Sequence, residues 1–144
     1  MGAVTVADVT VTPLAKIPTA GGDVWHGLRA ADPEFAGFGE AYFSWVNGGA
    51  VKAWKRHTRM TMNLIVPLGS VRFAFSDDGH VVGRIEDAGS HRYVRLTVPP
   101  GIWFGFQGRD PAASVILNIA SIRHDPAEVE RCGPTQINYD WTTP

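Results

Sequence analysis

The sequence has little cysteine, no long apolar run and almost no net charge. Its one cysteine, Cys132, excludes an intrachain disulfide and suits a reducing cytoplasm. The 13 basic and 14 acidic residues nearly cancel, so no broad basic surface is predicted for nucleic acid or an anionic membrane. The best apolar run, Ser114 to Ile122, contains Asn118 and is too short to span a bilayer. We therefore expect a cytoplasmic protein with no nucleic-acid or membrane partner.

Sustained helical periodicity is missing as well. Short runs rich in Val, Ile, Thr and aromatic residues recur along the chain between Gly and Pro turns, a pattern typical of a β-sandwich or barrel. The one helical signal is Asp125-Pro126-Ala127-Glu128, where an N-cap residue, a proline and an early acid predict a short helix reaching about Arg131. The length fits one domain over residues 1–144. The sequence thus predicts an all-β jelly roll with one short C-terminal helix.

The stretch Ala50 to Gly69 combines two apolar β-type runs with a dense group of cationic and polar side chains. Strand alternation through it would give one polar and one apolar face. The polar face would carry His57, Arg59, Thr61 and Asn63, and the apolar face Met60, Met62, Leu64 and Val66. Such a polar face either contacts bulk water or lines a wet pocket inside a barrel, and the alternation alone leaves both readings open.

A second polar face is predicted just before this stretch. The strand Phe38–Val46 is followed by Asn47-Gly48-Gly49, a tight-turn signal, and then by the strand Val51–His57. The short turn favours a β-hairpin between the two strands. Tyr42 and Ser44 share one face of the first strand, so the hairpin would bring them beside the polar face of the second.

Five short motifs follow one another between Phe38 and Arg131. They are Gly49-Ala50-Val51 leading to His57, a strand from Asn63 to Gly69, a strand from Val71 to Asp77, Pro99-Pro100-Gly101 followed by an aromatic-Gly-Phe at 104–106, and a closing strand from Ser114 into a Pro-x-x-x-Glu segment. In this order they resemble the cupins, and more narrowly the dTDP-4-dehydrorhamnose 3,5-epimerase group of cupins. The resemblance implies a double-stranded β-helix barrel, usually a homodimer, that acts on a nucleotide-linked 4-keto-6-deoxy sugar without metal.

A metal in the barrel can be tested against the same positions. Metal cupins supply His-x-His, a Glu shortly after it and a later His. Here the first pair is His57-Thr58-Arg59, no Glu lies between Arg59 and Gly69, and the later position holds Phe104. One ligand of four is present, and Arg59 would add a permanent cation. We therefore expect neither a metal nor another cofactor.

Epimerisation next to a ketone needs a base for the C–H proton, an acid for the opposite face and a positive group for the enolate oxygen. The resemblance places His57 at the family's catalytic base, and histidine is largely neutral at working pH. Tyr42 is the candidate proton donor and Lys55 the candidate cation, since both share strand faces with the predicted site. An ordinary strand tyrosine and a solvated edge lysine are the alternative interpretations.

Further polar residues are candidates for substrate binding. Arg59 and Asn63 could hold the diphosphate and a sugar hydroxyl, and Ser44 and Asn118 lie on strands of the predicted site. By resemblance, His26 lies on the N-terminal strand that contributes nucleotide contacts. The expected ligand is a nucleotide-diphosphate sugar or another small carbonyl compound.

The resemblance is incomplete at three functional positions. Leu117 stands where the family has a tyrosine acid, the family's lysine after the histidine is absent, and only Asp140 could replace the C-terminal Asp that orients the histidine. These departures favour an alternative, a non-catalytic cupin that binds a sugar or another small molecule. A keto-isomerase is a third hypothesis, disfavoured because the paired histidines expected of it are absent.

Overall fold

The computed structural model describes residues 2–144. Within them, twelve strands form where apolar and β-branched residues alternate with polar ones. They are β1 (Thr10–Pro13), β2 (Lys16–Ile17), β3 (Val24–Trp25), β4 (Glu40–Val46), β5 (Val51–His57), β6 (Met62–Leu68), β7 (Ser70–Ser76), β8 (Arg84–Gly89), β9 (Val94–Val98), β10 (Trp103–Gly108), β11 (Ser114–Ala120) and β12 (Val129–Arg131). Short 3₁₀ turns lie at Val6–Asp8 and Pro126–Glu128.

Two antiparallel sheets of five strands face each other. The first sheet has the order β1-β9-β6-β11-β4 and the second the order β12-β5-β10-β7-β8, while β2 and β3 form a small ribbon. Strands that follow one another in sequence lie mostly in different sheets, which is the arrangement of a jelly roll. The predicted cupin jelly roll is therefore confirmed.

The core lies between the two sheets, where each strand points alternate side chains inward. Met62, Leu64 and Val66 of β6 meet Phe73 and Phe75 of β7 in one buried apolar cluster. Each such side chain, fully buried, stabilises the fold by about 1.5–3 kcal/mol. This core occupies most of the interior and leaves the space near β4, β5 and β11 for polar side chains.

The predicted hairpin between the strands on either side of Asn47-Gly48-Gly49 is wrong. β4 pairs with β11 at the edge of the first sheet, whereas β5 pairs with β10 and β12 in the second. Both edges of β5 are thus occupied by strands distant in sequence, and no edge remains for β4. The polar faces of the two strands consequently look at each other across the barrel interior.

The predicted alternation through Ala50–Gly69 is also interrupted. β5 ends at His57 and β6 begins at Met62, and the segment between them carries the chain from the second sheet to the first. The alternation restarts in β6, where Met62 and Leu64 point inward and Asn63 outward. The His57 side chain therefore lies between the two sheets, whereas Asn63 lies on the outer face of the first sheet.

The predicted C-terminal helix is reduced to one turn. Asp125 caps it as expected, its carboxylate accepting a hydrogen bond from the backbone N–H of Ala127 at 3.0 Å. The chain then becomes β12 because residues 129–131 pair with the free edge of β5. Strand pairing thus replaces the rest of the helix and places Glu128 directly beside His57. None of the helices among residues 2–144 is both long and apolar enough to cross a bilayer.

Candidate active site

The His57 imidazole and the Glu128 carboxylate form a buried pair. His57 Nδ1 lies 2.5 Å from Glu128 Oε1, and the exposed fractions of the two side chains are 9% and 2%. The other carboxylate oxygen, Oε2, accepts hydrogen bonds at 3.1 Å from the backbone N–H groups of Arg59 and Met60. Glu128 is thus fixed by the turn that follows β5, and it fixes the ring of His57 in turn.

These contacts keep Glu128 ionised despite its burial. Burial alone would raise the pKa of its carboxyl group, but hydrogen bonds from His57 and from two backbone amides outweigh it, so the pKa lies below its ordinary value. An ionised carboxylate accepts hydrogen bonds only, so Nδ1 of His57 must carry the shared proton. The other ring nitrogen, Nε2, is then an unprotonated acceptor when the imidazole is neutral.

The ring of His57 forms part of the wall of a small cavity between the sheets, which we call the inner pocket. Its volume is about 60 Å³. Its polar lining residues are Tyr42, Ser44, Lys55, His57 and Asn118. Phe104 stacks on the imidazole with 6.0 Å between ring centroids and an interplanar angle of 19°. Phe104, which stands where a metal cupin has a histidine, therefore fixes the plane of the His57 ring.

Tyr42 and Asn118 face His57 from the opposite sheet. The two residues are direct cross-strand partners in β4 and β11, and Asn118 Nδ2 donates a hydrogen bond to Tyr42 Oη at 3.0 Å. Asn118 is 3% exposed, and its Oδ1 atom is buried without a hydrogen-bond partner. The inner pocket thus contains a phenol and an unused acceptor opposite the imidazole.

Lys55 connects the inner pocket to a larger cavity, which we call the outer chamber. The outer chamber has a volume of about 400 Å³, and its charged lining residues are Lys52, Lys55 and Arg131. No carboxylate is found among the described residues of its lining. Burial lowers the pKa of Lys55 most, and the positive charges of Arg131 and Lys52 lower it further. The chamber is thus suited to an anion, which would relieve the repulsion among the three cations.

Two predicted site residues lie outside both cavities. Arg59 points to the surface, where its Nη2 atom is 2.9 Å from Asp125 Oδ2. Asn63 is buried on the outer face of the first sheet, where it accepts from Thr97 Oγ1 at 2.6 Å and donates to the carbonyl of Glu34 at 3.2 Å. Both placements follow from the interrupted alternation after His57. The prediction that these residues share a face with His57 is therefore wrong.

His26 and Asp140 are also away from the inner pocket. His26 is exposed and lines a separate cavity of about 500 Å³ on the outer face of the first sheet, together with Arg29 and Arg95. The carboxylate of Asp140 accepts hydrogen bonds from Thr142 at the surface and does not contact His57. The carboxylate that orients the histidine is Glu128 instead.

Sequence reasoning missed the function of Glu128 although it identified the segment that carries it. The Asp125-Pro126 cap predicted where the chain turns, but a helix would have left Glu128 as an ordinary first-turn acid. The contact with His57 depends on the pairing of β12 with β5, which joins residues more than 70 positions apart. No local signal indicates that pairing.

The described side chains around His57 do not form a set of metal ligands. Among residues 2–144, no group of three or more His, Cys, Asp or Glu side chains lies close enough together to hold a metal ion. The nearest ligand-type neighbour of His57 is Glu128, and it uses the ring nitrogen Nδ1.

Solved structures with the same fold identify the family. A dTDP sugar isomerase from Desulfovibrio desulfuricans G20 is 33% identical, with a TM-score of 0.86 over 98% of this chain and 96% of that one. A sugar 3,4-ketoisomerase from Thermoanaerobacterium thermosaccharolyticum, solved with TDP, is 19% identical with a TM-score of 0.75 over 92% and 93%. A dTDP-4-dehydrorhamnose 3,5-epimerase from Sulfolobus tokodaii is 15% identical with a TM-score of 0.76 over 91% and 80%.

The fold and these similarities define a cupin of the jelly-roll type. The chain belongs to the dTDP-4-dehydrorhamnose 3,5-epimerase-like, or RmlC-like, family of cupins. No protein-family model matches the sequence, and no curated protein matches it.

Proposed function

We propose that the protein is an isomerase or epimerase of a nucleotide-linked 4-keto-6-deoxy sugar. The observation that carries the proposal is the buried His57–Glu128 pair in the wall of a pocket that also contains Tyr42 and Lys55. The similarity to the dTDP sugar isomerase supports the class of substrate. The remaining structures support it less directly, since they establish a shared fold.

The base in this proposal is Nε2 of His57. Glu128 accepts the Nδ1 proton, so the lone pair on Nε2 is free to remove the proton from the carbon next to the ketone. The imidazole becomes an imidazolium in this step, and the adjacent carboxylate stabilises the new positive charge. The electrons of the broken C–H bond move into an enolate whose oxygen acquires negative charge.

Lys55 and Tyr42 complete the reaction. The ammonium group of Lys55 stabilises the enolate oxygen electrostatically. Tyr42, on the facing sheet, donates its phenol proton to the opposite side of the carbon, which inverts the centre. His57 then loses its extra proton to solvent and Tyr42 regains one. If His57 removes the C3 proton, O4 of the enolate gains a proton to give a 3,4-enediol, the 3-hydroxyl loses its proton and a proton returns to C4, then the carbonyl moves from C4 to C3 instead.

In this proposal the sugar occupies the inner pocket and the nucleoside diphosphate occupies the outer chamber. The inner pocket, about 60 Å³, is much smaller than the outer chamber, about 400 Å³, so only the reacting edge of the sugar is assigned to it. The diphosphate and nucleoside must then lie in the outer chamber, where Lys52, Lys55 and Arg131 offer three positive charges. Ser44 lines both cavities and is placed to contact the sugar where they join.

The proposal includes a homodimer formed through the outer face of β4. Phe43, Trp45 and Leu68 are each 59% exposed, and strand pairing places them next to one another through Val115 and Leu117. β4 is also an edge strand, and exposed apolar edges usually pair with another chain or are covered. Sedimentation velocity of the wild type and of Trp45→Glu tests it: a dimer that becomes a monomer supports it, and a wild-type monomer contradicts it.

Hydrogen exchange with solvent tests the activity. dTDP-4-keto-6-deoxyglucose is incubated with the protein in D₂O, and NMR follows deuterium at C3 and C5 and the position of the carbonyl. We expect deuterium uptake that falls by about 10²- to 10⁴-fold in His57→Gln, since that is the usual contribution of a general base. Uptake that does not depend on His57 would contradict the proposed base.

A non-catalytic binding protein is the second candidate. It is favoured by Leu117, which stands on β11 where the family has its acid and which points outward beside Phe43. Thermal shift distinguishes the two, because a ligand that binds only the folded state raises its stability by mass action. Stabilisation by a dTDP sugar without any deuterium uptake in the wild type would favour the binding protein.

A further inference from the structure

We propose that Asn118 determines specificity for the sugar by reading one ring hydroxyl, and this rests on the proposed function. Asn118 lies in the middle of β11, between Tyr42 on β4 and Leu64 on β6, and all three side chains line the inner pocket. One half of its amide is used, because Nδ2 donates to Tyr42 Oη at 3.0 Å. The other half, Oδ1, is buried and accepts no hydrogen bond from the described residues.

An unused acceptor at this depth is unusual. Most buried side-chain polar atoms have a partner, and burying a polar group without one destabilises the fold. The chain offers a direct comparison, because Asn63 is buried to the same extent, 3% exposed, and uses both ends of its amide. Asn63 faces a loop of the protein, whereas Asn118 faces the pocket. The missing partner of Oδ1 is therefore a donor on the ligand.

The chemistry of the ligand limits what that donor is. A 4-keto-6-deoxyhexose joined to a diphosphate at C1 has a carbonyl at C4, a ring oxygen at C5 and a methyl group at C6. The hydroxyl groups that can donate are those at C2 and C3. Asn118 thus accepts from one of these two, and a sugar that lacks this hydroxyl leaves Oδ1 unpaired inside the complex.

The same amide also directs the phenol. Because Nδ2 donates to Tyr42 Oη, one lone pair of that oxygen is occupied, and the phenol's own proton must point elsewhere. Asn118 is therefore a positioning residue for the proposed proton donor and at the same time a contact to the substrate. Replacing it should change ligand discrimination, which a purely structural asparagine would leave alone.

Binding of unreactive sugars tests the hydroxyl contact. Isothermal titration calorimetry measures the Kd of dTDP-4,6-dideoxyglucose, which has neither a ketone nor a hydroxyl at C4, and of its 2-deoxy and 3-deoxy analogues, with dTDP as the reference without sugar. We expect wild type to bind one of these two analogues about ten-fold or more weakly than dTDP-4,6-dideoxyglucose, because that analogue leaves a buried acceptor unpaired. In Asn118→Leu the difference should shrink to about two-fold or less.

Two further variants keep the test decisive. Asn118→Asp retains an acceptor at the same place and should keep the discrimination even if the leucine variant folds poorly. Asn63→Leu is the matched control, since the same replacement of an equally buried asparagine should lower stability but leave the discrimination intact. Equal binding of all three sugars by wild type, or discrimination that survives in Asn118→Leu, would overturn the inference while the proposed function stands. If wild type binds no dTDP sugar and exchanges no deuterium, both the inference on Asn118 and the proposed function are contradicted.

Discussion

The barrel interior and the outer face of the first sheet both bury polar side chains, but they differ in how completely those side chains find hydrogen-bond partners within the protein. On the outer face, Arg95 is 1% exposed and contacts Glu34 at 2.8 Å, Asp32 at 3.3 Å and the carbonyl of Gly27 at 2.7 Å. In the interior, Asn118 keeps an open acceptor beside a cavity.

The difference separates polar groups that hold the fold from polar groups that face a ligand. The contacts of Arg95 end on one loop, residues 27–34, so they fasten that loop to the sheet. Its Nε atom lacks a partner, but both amino groups of the guanidinium are paired. The polar side chains of the inner pocket do not hold parts of the fold together across the cavity. His57, Tyr42 and Asn118 therefore remain available to a ligand.

Arg95→Met should give the largest effect on stability, and it should disrupt only the outer cluster, which we define as Arg95 with its partners Gly27, Asp32 and Glu34. It removes the partner of two carboxylates that are only partly exposed, which lowers the free energy of unfolding by about 3 kcal/mol. Chemical denaturation measures it. Deuterium exchange by the fraction that remains folded should stay near the wild-type rate, because Arg95 lines neither the inner pocket nor the outer chamber.

Arg29→Met is the matched control, since Arg29 also pairs with Asp32 but has a side chain that is 75% exposed. Its loss should change the free energy of unfolding by at most about 1 kcal/mol. Equal losses in the two variants would mean that burial does not distinguish the outer cluster from an ordinary surface pair.

Glu128→Gln should break the interior pair. The amide keeps the shape of the carboxylate but lacks the charge that stabilises the imidazolium, so we expect kcat to fall by about 10²-fold with a smaller change in KM. Stability provides a second readout. Because the pKa of Glu128 is lowered on folding, its contribution is present above pH about 4.5 and is lost as the pH falls towards its folded value.

The wild type should therefore lose its stability advantage over Glu128→Gln progressively as the pH decreases below about 4.5. Denaturation at a series of pH values measures this. Glu130→Gln is the control two residues away, since Glu130 forms a half-exposed pair with Arg56. A constant difference between wild type and Glu128→Gln over this range would argue against an ionised Glu128 in the native state.

Much of the fold was predictable because it depends on local patterns. The strands at Val51–His57 and Ser114–Ala120 are nearly where alternation and turn residues predicted them. The order of motifs around His57 indicated the cupin barrel. The site was predictable for His57, Tyr42 and Lys55, and the structure brings these three to one pocket, although their functions stay predictions.

The rest of the site depends on which strands pair. β4 and β5 are adjacent in sequence and belong to opposite sheets, so the correct neighbourhood of Tyr42 and His57 was predicted for the wrong reason. Asn63 was misplaced because the crossing between the sheets changes which face a given position occupies. Glu128 was missed because only the pairing of β12 with β5 brings it to His57.

Lys55→Met tests the role of the side chain at the border between the two cavities. The variant loses the cation next to the developing enolate, and we expect kcat to fall by about 10-fold or more. Lys55→Arg keeps the charge and should retain most of the activity. Lys52→Met, which alters only the outer chamber, should raise KM more than it lowers kcat. Steady-state kinetics of the three variants measure this, and equal kcat values in the methionine variants would contradict the division between the cavities.

Arg59→Ala should give the smallest effect and tests the boundary of the site. Strand alternation predicted Arg59 as a substrate contact, but its side chain is 58% exposed and its guanidinium pairs with Asp125 at the surface. Exposed ion pairs of this kind stabilise a protein by about 1 kcal/mol or less. We expect the Kd for dTDP to change by less than about three-fold, because the lost charge is not part of the outer chamber. Ten-fold weaker binding of dTDP would mean that the diphosphate extends out of the outer chamber towards the turn after β5. The anion would then be bound by Arg59 rather than by Lys52.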